Sequence, residues 1–187
     1  MQTESDRRPL FATSNPLKFR EAHALMAGLE QLDIELPELQ ALDVRDVVEA
    51  KLRYIGGMNL RRPVIVEDTG LVVEARGGLP GALVKWFLTA VGADGTSSML
   101  RVELDRLPAR AVCAVGATVG SESAIWEGET IGFLVPPRGP ATGWNSIFEE
   151  SESGLTFAEM SDDERLAVSM RRRPLLEAAT WLSLAAS

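Results

Sequence analysis

Lysine is nearly missing from this chain. Only Lys18, Lys51 and Lys85 occur, against sixteen arginines. A compact ammonium on a flexible stem suits a single phosphate oxygen, whereas a forked guanidinium suits paired acceptors, so the three lysines are candidate anion contacts. Chance survival at the surface is the competing reading; their place inside segments that look chemical for other reasons favours the first. Histidine is rarer still. His23 stands alone at mid-helix spacing, which argues against a zinc site. Cys113 is the one cysteine. No disulfide can form within the chain, and the apolar run 111–119 fits a buried small hydrophobe in a reducing compartment. No stretch approaches a membrane span, and residues 1–9 are polar and charged with no apolar core of a signal peptide. A cytoplasmic protein is expected. The net charge of −8 disfavours nucleic acid and anionic membrane as partners.

What is present supports a real core: 45% of the 187 residues are hydrophobic. The expected organisation is a loose tail over 1–9 and a single domain over 10–187. Residues 10–13 read as a strand running into a helix capped by Asn15, with Pro16 at its first position. A second strand is expected at 33–36 and a helix at 44–55, ended by Gly56 and Gly57. Residues 64–66 read as a buried strand that delivers Glu67 and Asp68 into a turn at Thr69-Gly70, with another strand at 71–75. Helices are expected at 82–91 and 97–107, and two long strands at 110–119 and 125–135 form a hairpin. Ser161 to Glu164 has capping-box spacing and opens a helix through Met170; a last helix covers 174–184. Interleaved strands and helices give an α/β fold with a mixed sheet.

Four segments carry candidate chemistry. In the first, 13–18, a strand enters a polar loop and a helix N-terminus, where free amides and the macrodipole attract an anion. Lys18 sits there unfavourably unless a phosphate offsets it; an ordinary helix cap is the alternative. The second is acidic: Glu67-Asp68, of which alternation should let only one reach a given site, and Glu38 in another loop. Carboxylates from separate loops suit a hard cation such as Mg²⁺, though Asp68 also fits a turn-forming role. The third is 77–87, GGLPGALVKWF, a glycine-rich loop followed by Lys85, Trp86 and Phe87. Trp86 and Phe87 cannot share a face, so at least one is expected at a surface. The fourth holds Trp144 and Asn145 after Gly143, then Ser169, Met170 and the arginines 171–173. The aromatic could stack on a base, and an arginine cluster at a helix C-terminus suits the dipole or a phosphate.

Together these segments resemble the Ham1 family of inosine triphosphate pyrophosphatases over about 10–182. TSNPLKFREA is similar to that family's T-G-N-x-x-K-x-x-E opening. VEDTGLVVEARGGLPGALVKWFL is very close to its V-E-D-T…G-G-L-P-G…K-W-F-L block. TGWNSIFEES and TFAEMSDDERLAVSMRRRPLLE follow its F-G-W-D-P-x-F and Y-A-E-M…S-H-R segments. The resemblance implies an elongated, two-lobed α/β fold with a long mixed central sheet flanked by helices and a nucleotide cleft between the lobes. It implies a homodimer and Mg²⁺-dependent cleavage of a nucleoside triphosphate to monophosphate and pyrophosphate. It puts Thr13, Asn15, Lys18 and Lys51 on triphosphate-binding positions, Glu38 on a metal-ligand position, and Asp68 on the carboxylate that binds metal or activates water. Lys85 falls beside the cleft.

The chain departs from the pattern at the base-reading end. Thr142 replaces a stacking Phe, Asn145 an Asp, Met170 the His of S-H-R, and Arg165-Leu166 the K-N pair; Trp144, Ser169 and Arg171 remain. Met170 removes both imidazole donors, and Asn145 adds donors where the family has only acceptors. The expectation is a working pyrophosphatase with base specificity altered from ITP and XTP. The alternatives are ordinary ITP, dITP and XTP housecleaning and a non-catalytic nucleotide-binding paralogue.

Overall fold

The computed structural model describes residues 8–140 and 143–185. Its centre is a seven-stranded mixed sheet. The strands are β1 (Leu10–Ala12), β2 (Glu30–Leu32), β3 (Val64–Val72), β4 (Pro80–Gly81), β5 (Leu107–Val119), β6 (Glu122–Leu134) and β7 (Phe148–Glu150). They lie in the order β2-β1-β3-β5-β6-β7, with β4 on the edge of β3. β1 pairs with β2 and β3 in parallel, and the remaining ladders are antiparallel. The helices are α1 (Pro16–Leu25), α2 (Val44–Gly56), α3 (Val84–Arg101), α4 (Asp162–Val168) and α5 (Arg172–Ala185), with 3₁₀ turns at Glu74–Arg76 and Gly143–Ser146.

Alternation along β3 and β5 divides the core into two layers. Ile65, Leu71, Cys113, Val115 and Ala117 face the layer that holds α1 and α5. Val64, Val66 and Ala114 face α2, whose Val44, Val48, Leu52 and Ile55 recur at helical spacing. Helix α2 starts at Val44, as expected; the structure adds a cap, the Asp43 side chain accepting a hydrogen bond from the Arg45 amide at 2.8 Å, and Gly57 caps the other end. Gly116 keeps β5 close to α2, because a Cβ there would lie 2.7 Å from Val48 Cγ1.

Four sequence expectations are corrected. The strand expected at 33–36 lies earlier, at Glu30–Leu32, where it matches β1 residue for residue. Ile34 and Leu36 still pack against the α2 layer, so their alternation reports burial without a ladder. Thr69-Gly70 is no turn. β3 runs unbroken from Val64 to Val72 because β5 pairs with it along that whole length, and the 71–75 strand dissolves into it. The helix expected at 97–107 ends at Arg101, and Leu107 opens β5; α3 continues through a kink at Gly92, whose φ of 71° only glycine adopts readily. The arginine cluster lies at the start of α5 and not at the end of a helix, since α4 stops at Val168.

The ladder on the outer edge of β3 is what positions the site. β1 pairs with β3 only at Val64 and Ile65, and β4 only at Leu71 and Val72. Between them, residues 66–70 have no partner strand on that side. Glu67 and Asp68 occupy this gap.

Candidate active site

The gap in the β3 edge opens into a cleft of about 1070 Å³. Its walls come from the β1–α1 loop, the Ile34–Leu39 region, α2, the start of α3, the Trp144 turn and the α4–α5 junction. Alternation sends Glu67 and Asp68 to opposite faces of the sheet, yet both line this one cleft. The expectation that only one of them reaches a given site is therefore corrected: with no neighbouring strand on that edge, both faces open into the same space.

Of the six cationic side chains on the cleft wall, Lys18, Lys51, Lys85, Arg165 and Arg171 are paired with carboxylates. On the α2 side, Lys51 Nζ donates to Asp68 Oδ1 at 2.8 Å and to the Glu67 carbonyl oxygen at 2.9 Å. The Lys51 and Asp68 side chains are only 7% and 13% exposed. On the α1 side, Lys18 Nζ lies 3.2 Å from Glu67 Oε1, and the Glu67 side chain is 1% exposed. Arg171 Nε donates to Glu67 Oε2 at 3.0 Å, while its Nη1 donates to Glu21 Oε2 at 2.8 Å. Arg165 links Glu21 Oε1 at 3.2 Å to Asp162 Oδ1 at 2.6 Å. At the mouth, Lys85 Nζ holds both oxygens of Glu38, at 2.8 and 2.9 Å, with a Lys85 side chain that is 64% exposed.

These pairings set the titration of the centre. Burial raises the Glu67 carboxyl, but Arg171 and Lys18 outweigh it and hold the group below its ordinary value. Burial likewise lowers Lys18, and the charges of Glu67 and Asp68 outweigh that, leaving its ammonium above the usual range. Arg171 is held high by Glu67 and Glu21 against the same opposing burial. Cys113 Sγ lies beneath, 4.0 Å from Glu67 Oε2. Burial, with the Glu67 charge beside it, pushes the thiol well up, so it is an inert core side chain.

The α1 N-terminus is capped as its sequence predicts. Asn15 Oδ1 accepts from the amides of Leu17 at 2.9 Å and Lys18 at 3.3 Å, and Thr13 Oγ1 accepts from the Asn15 amide at 3.1 Å. Thr13, Asn15 and Lys18 all line the cleft. Trp144 and Asn145 line it from the other wall. Trp144 is mostly buried, tilted against Phe157 and edge-on to Phe148, so little of it is open for stacking. Trp86 lines the cleft and is exposed, while Phe87 is half-buried, in line with the expectation for that pair.

Two expected base contacts, Met170 and Ser169, fall elsewhere. Met170 does not line the cleft: it is 3% exposed and packed into the core. Ser169 lines a separate groove beside β6 and α5, and its hydroxyl accepts from the Arg171 amide at 3.2 Å. Thr142 lies outside the described residues. Arg171 does reach the cleft, but it is bound to Glu67 and Glu21 in place of a base. Sequence reasoning singled out Glu67 beside Asp68 without giving it these partners, and it missed Glu21. Glu21 was within sight, three residues after Lys18 at the end of the opening motif, where i,i+3 spacing puts the two on one helix face.

Glu38 and Asp68 offer the oxygen-only donor set that a hard divalent cation prefers. Among the described residues no group of three or more His, Cys, Asp or Glu is gathered around one point. The two carboxylates fit Mg²⁺ as protein ligands that leave most positions to water and phosphate, which is that ion's usual habit. Asp68 is engaged through Oδ1 only, and the Lys85 partner of Glu38 is exposed enough to swing aside.

The model of the Ham1 family matches residues 10–181. The chain is 40% identical over 182 residues to an inosine triphosphate pyrophosphatase of Aspergillus fumigatus, covering 92% of each chain. It is 40% identical over 168 residues to the inosine triphosphate pyrophosphatase of Schizosaccharomyces pombe, covering 87% of this chain and 88% of that one. Among solved structures, a HAM1 protein from Coxiella burnetii superposes with a TM-score of 0.78 at 20% identity, over 95% of this chain and 98% of that one. A nucleoside-triphosphatase, dITP/XTP pyrophosphatase, from Mycobacterium abscessus does so with a TM-score of 0.67 at 26% identity, over 90% and 97%.

Proposed function

The chain belongs to the Ham1 family, and we propose on that footing that it is a nucleoside triphosphate pyrophosphatase. It hydrolyses a (deoxy)nucleoside triphosphate to the monophosphate and pyrophosphate, uses Mg²⁺, and has a base preference displaced from ITP and XTP. The observation that carries the reading is the convergence of Lys18, Lys51, Glu38 and Asp68 on one cleft. A triphosphate repels an incoming nucleophile, so its charge has to be neutralised before attack. Glu38 and Asp68 would hold the metal, which when bound supplies charge neutralisation and polarisation of phosphoryl oxygens. Lys18 and Lys51 meet the phosphate oxygens and stabilise the charge that builds in the transition state. Asp68 takes the proton of the attacking water as the anhydride bond between the α and β phosphoryl groups breaks and pyrophosphate leaves. Loss of general-base help alone costs about 10²–10⁴-fold, so Asp68→Asn is expected to cost at least that in kcat.

The altered base preference is supported by the substitutions at the base end and by the position of Met170, whose side chain packs in the core and offers no polar group to the cleft. A site that hydrogen-bonds one base discriminates by about 10⁴–10⁵ against an analogue that leaves its groups unpaired. Without those partners, specificity relaxes while hydrolysis remains. Pyrophosphate release is measured across ITP, XTP, GTP, ATP, CTP, UTP and their deoxy forms. Strong selectivity for ITP and XTP over GTP would favour the second reading, ordinary housecleaning, which the names of the relatives at 40% identity support. Nucleotide binding with no turnover and no metal requirement would instead indicate a non-catalytic paralogue, against which the retained lysines and carboxylates weigh. The homodimer and the cytoplasmic location implied at the outset belong to the same reading; sedimentation velocity tests the first. No helix among the described residues is long and apolar enough to cross a membrane.

A further inference from the structure

We propose that Glu67 is a positioning residue: its buried carboxylate fixes Lys18 of α1 in the geometry that receives the polyphosphate and anchors Arg171 of the α4–α5 junction to the same strand. The inference rests on the functional reading above and extends it to a side chain that neither the metal set nor the base-reading set includes.

Two like charges from opposite ends of the chain meet at the cleft floor, and each is attracted to Glu67. Its 1% exposure leaves no room for water to take over that role. Lys18 ends in a flexible four-carbon stem, and its amide bond to Asn15 steadies only its backbone. Among the described residues, Glu67 is the one carboxylate in ion-pair contact with its ammonium. Arg171 has a second anchor in Glu21, but Glu21 sits on α1 with Lys18, so that anchor ties Arg171 to the helix and not to the sheet. Glu67 alone ties both cations to β3, beside Asp68. Its effect on phosphate binding is exerted through Lys18.

Two other roles for Glu67 predict different results. A simple counter-charge competes with the phosphate, so removing it would tighten anion binding. A metal ligand would, when removed, weaken binding of the cation alone. A positioning residue, when removed, weakens triphosphate binding and leaves binding of the cation alone unchanged.

The test compares wild type with Glu67→Gln by calorimetric titration with inorganic tripolyphosphate and, separately, with Mg²⁺. Hydrogen bonds to charged groups are each worth about 10- to 150-fold in an equilibrium. Tripolyphosphate is therefore expected to bind about 10- to 100-fold more weakly to Glu67→Gln, with Mg²⁺ affinity unchanged and KM for the nucleotide rising more than kcat falls. Equal or tighter tripolyphosphate binding overturns the proposal, as does a matching loss of Mg²⁺ affinity. If Glu67→Gln does not fold, Glu67→Asp keeps the charge and withdraws it by one methylene: wild-type binding there overturns the proposal, and a similar loss supports it. With only three lysines, ¹³Cε-lysine labelling adds a readout on the wild type itself. Lys18 is expected to show two inequivalent ε-protons, the mark of an immobilised ammonium, while exposed Lys85 shows one averaged signal; an averaged Lys18 signal overturns the proposal. Neither binding nor labelling needs turnover. A protein that passes both tests yet hydrolyses no nucleotide would sink the functional reading and leave this one standing.

Discussion

Replacing Lys51 by methionine separates two roles that the same residue is assigned. As a phosphate contact, Lys51 should be dispensable to folding. In the structure it is committed: its ammonium donates to Asp68 and to the Glu67 carbonyl oxygen, and both members of the ion pair are buried. Methionine keeps the apolar stem that packs with Val47, Val48 and Leu52 on the buried face of α2, so packing changes little. What is lost is the partner of a buried carboxylate. Breaking a buried pair from one side costs about 3–5 kcal/mol, because an uncompensated charge is left behind. For a chain of this size each kcal/mol lowers the Tm by about 2–4 °C, so a fall of about 6–20 °C is expected. Urea unfolding of Lys51→Met, Asp68→Asn and the double variant checks the origin of the loss. The double variant removes both charges and is expected to recover about 1–3 kcal/mol relative to additivity. A Lys51→Met protein that loses activity with less than about 0.5 kcal/mol of stability, within the range of an ordinary surface change, would refute the argument and return Lys51 to a purely substrate-facing role.

Other expectations are simpler to state. Glu150 is buried, which raises its carboxyl, but the amides of Glu152 and Ser153 outweigh that and hold it below its ordinary value; the stability it contributes is present above the unfolded carboxyl value of about 4.3 and is lost as pH falls through the lower folded value. Urea midpoints from pH 6 down to pH 3 are therefore expected to fall less steeply in Glu150→Gln than in wild type. A Cβ added at Gly128 meets the Met170 carbonyl oxygen and lies 2.8 Å from Pro174 Cδ. Gly128→Ala is thus expected to cost about 1–3 kcal/mol by overpacking and to lower kcat/KM by displacing Arg171, as measured by chemical denaturation and steady-state assay. EDTA is expected to abolish pyrophosphate release and Mg²⁺ to restore it, with no change in far-UV circular dichroism.

The local elements of the fold were legible wherever sequence and tertiary context agree. The Asn15 cap, the Ser161 capping box and the 110–135 hairpin all stand where their residue types put them. The failures share one cause, which is that pairing partners decide strand limits. Thr69-Gly70 has turn composition, but β5 pairs with β3 straight through it, and Gly70 serves close approach, since a Cβ there would lie 2.8 Å from the Gly81 backbone. Asp33 to Leu36 has strand alternation, but β1 is three residues long and ends before it. For the cleft, Lys18, Lys51, Lys85, Glu38 and Asp68 were legible as chemistry. Which carboxylate each cation binds was not, because Glu67 meets Arg171 across 104 positions of sequence. Nothing local to Met170 distinguishes a base contact from a core residue. Only the position of the 169–171 linker on Gly128 does.

The scarcity of lysine acquires a physical reading once the pairs are known. Two of the three cleft arginines hold two carboxylates each: Arg165 takes Glu21 and Asp162, and Arg171 takes Glu67 and Glu21. A planar fork suits that work, and the resulting chain of contacts ties α4 and the α4–α5 junction to α1 and β3 as fixed struts. Each cleft lysine holds a single carboxylate side chain: Lys18 Glu67, Lys51 Asp68 and Lys85 Glu38. For Lys51 and Lys85, whose single partners are the two candidate metal carboxylates, a point charge can exchange its carboxylate for a phosphate oxygen without dismantling a network. If Glu38 and Asp68 held a cation, as proposed, Lys85 and Lys51 would lose their partners and become available to the polyphosphate. Arginine in those positions would bind its carboxylate through two bonds and resist the exchange. The division follows the chemistry of the two side chains: arginine where the cleft has to stay in place, and lysine where a charge has to change partners.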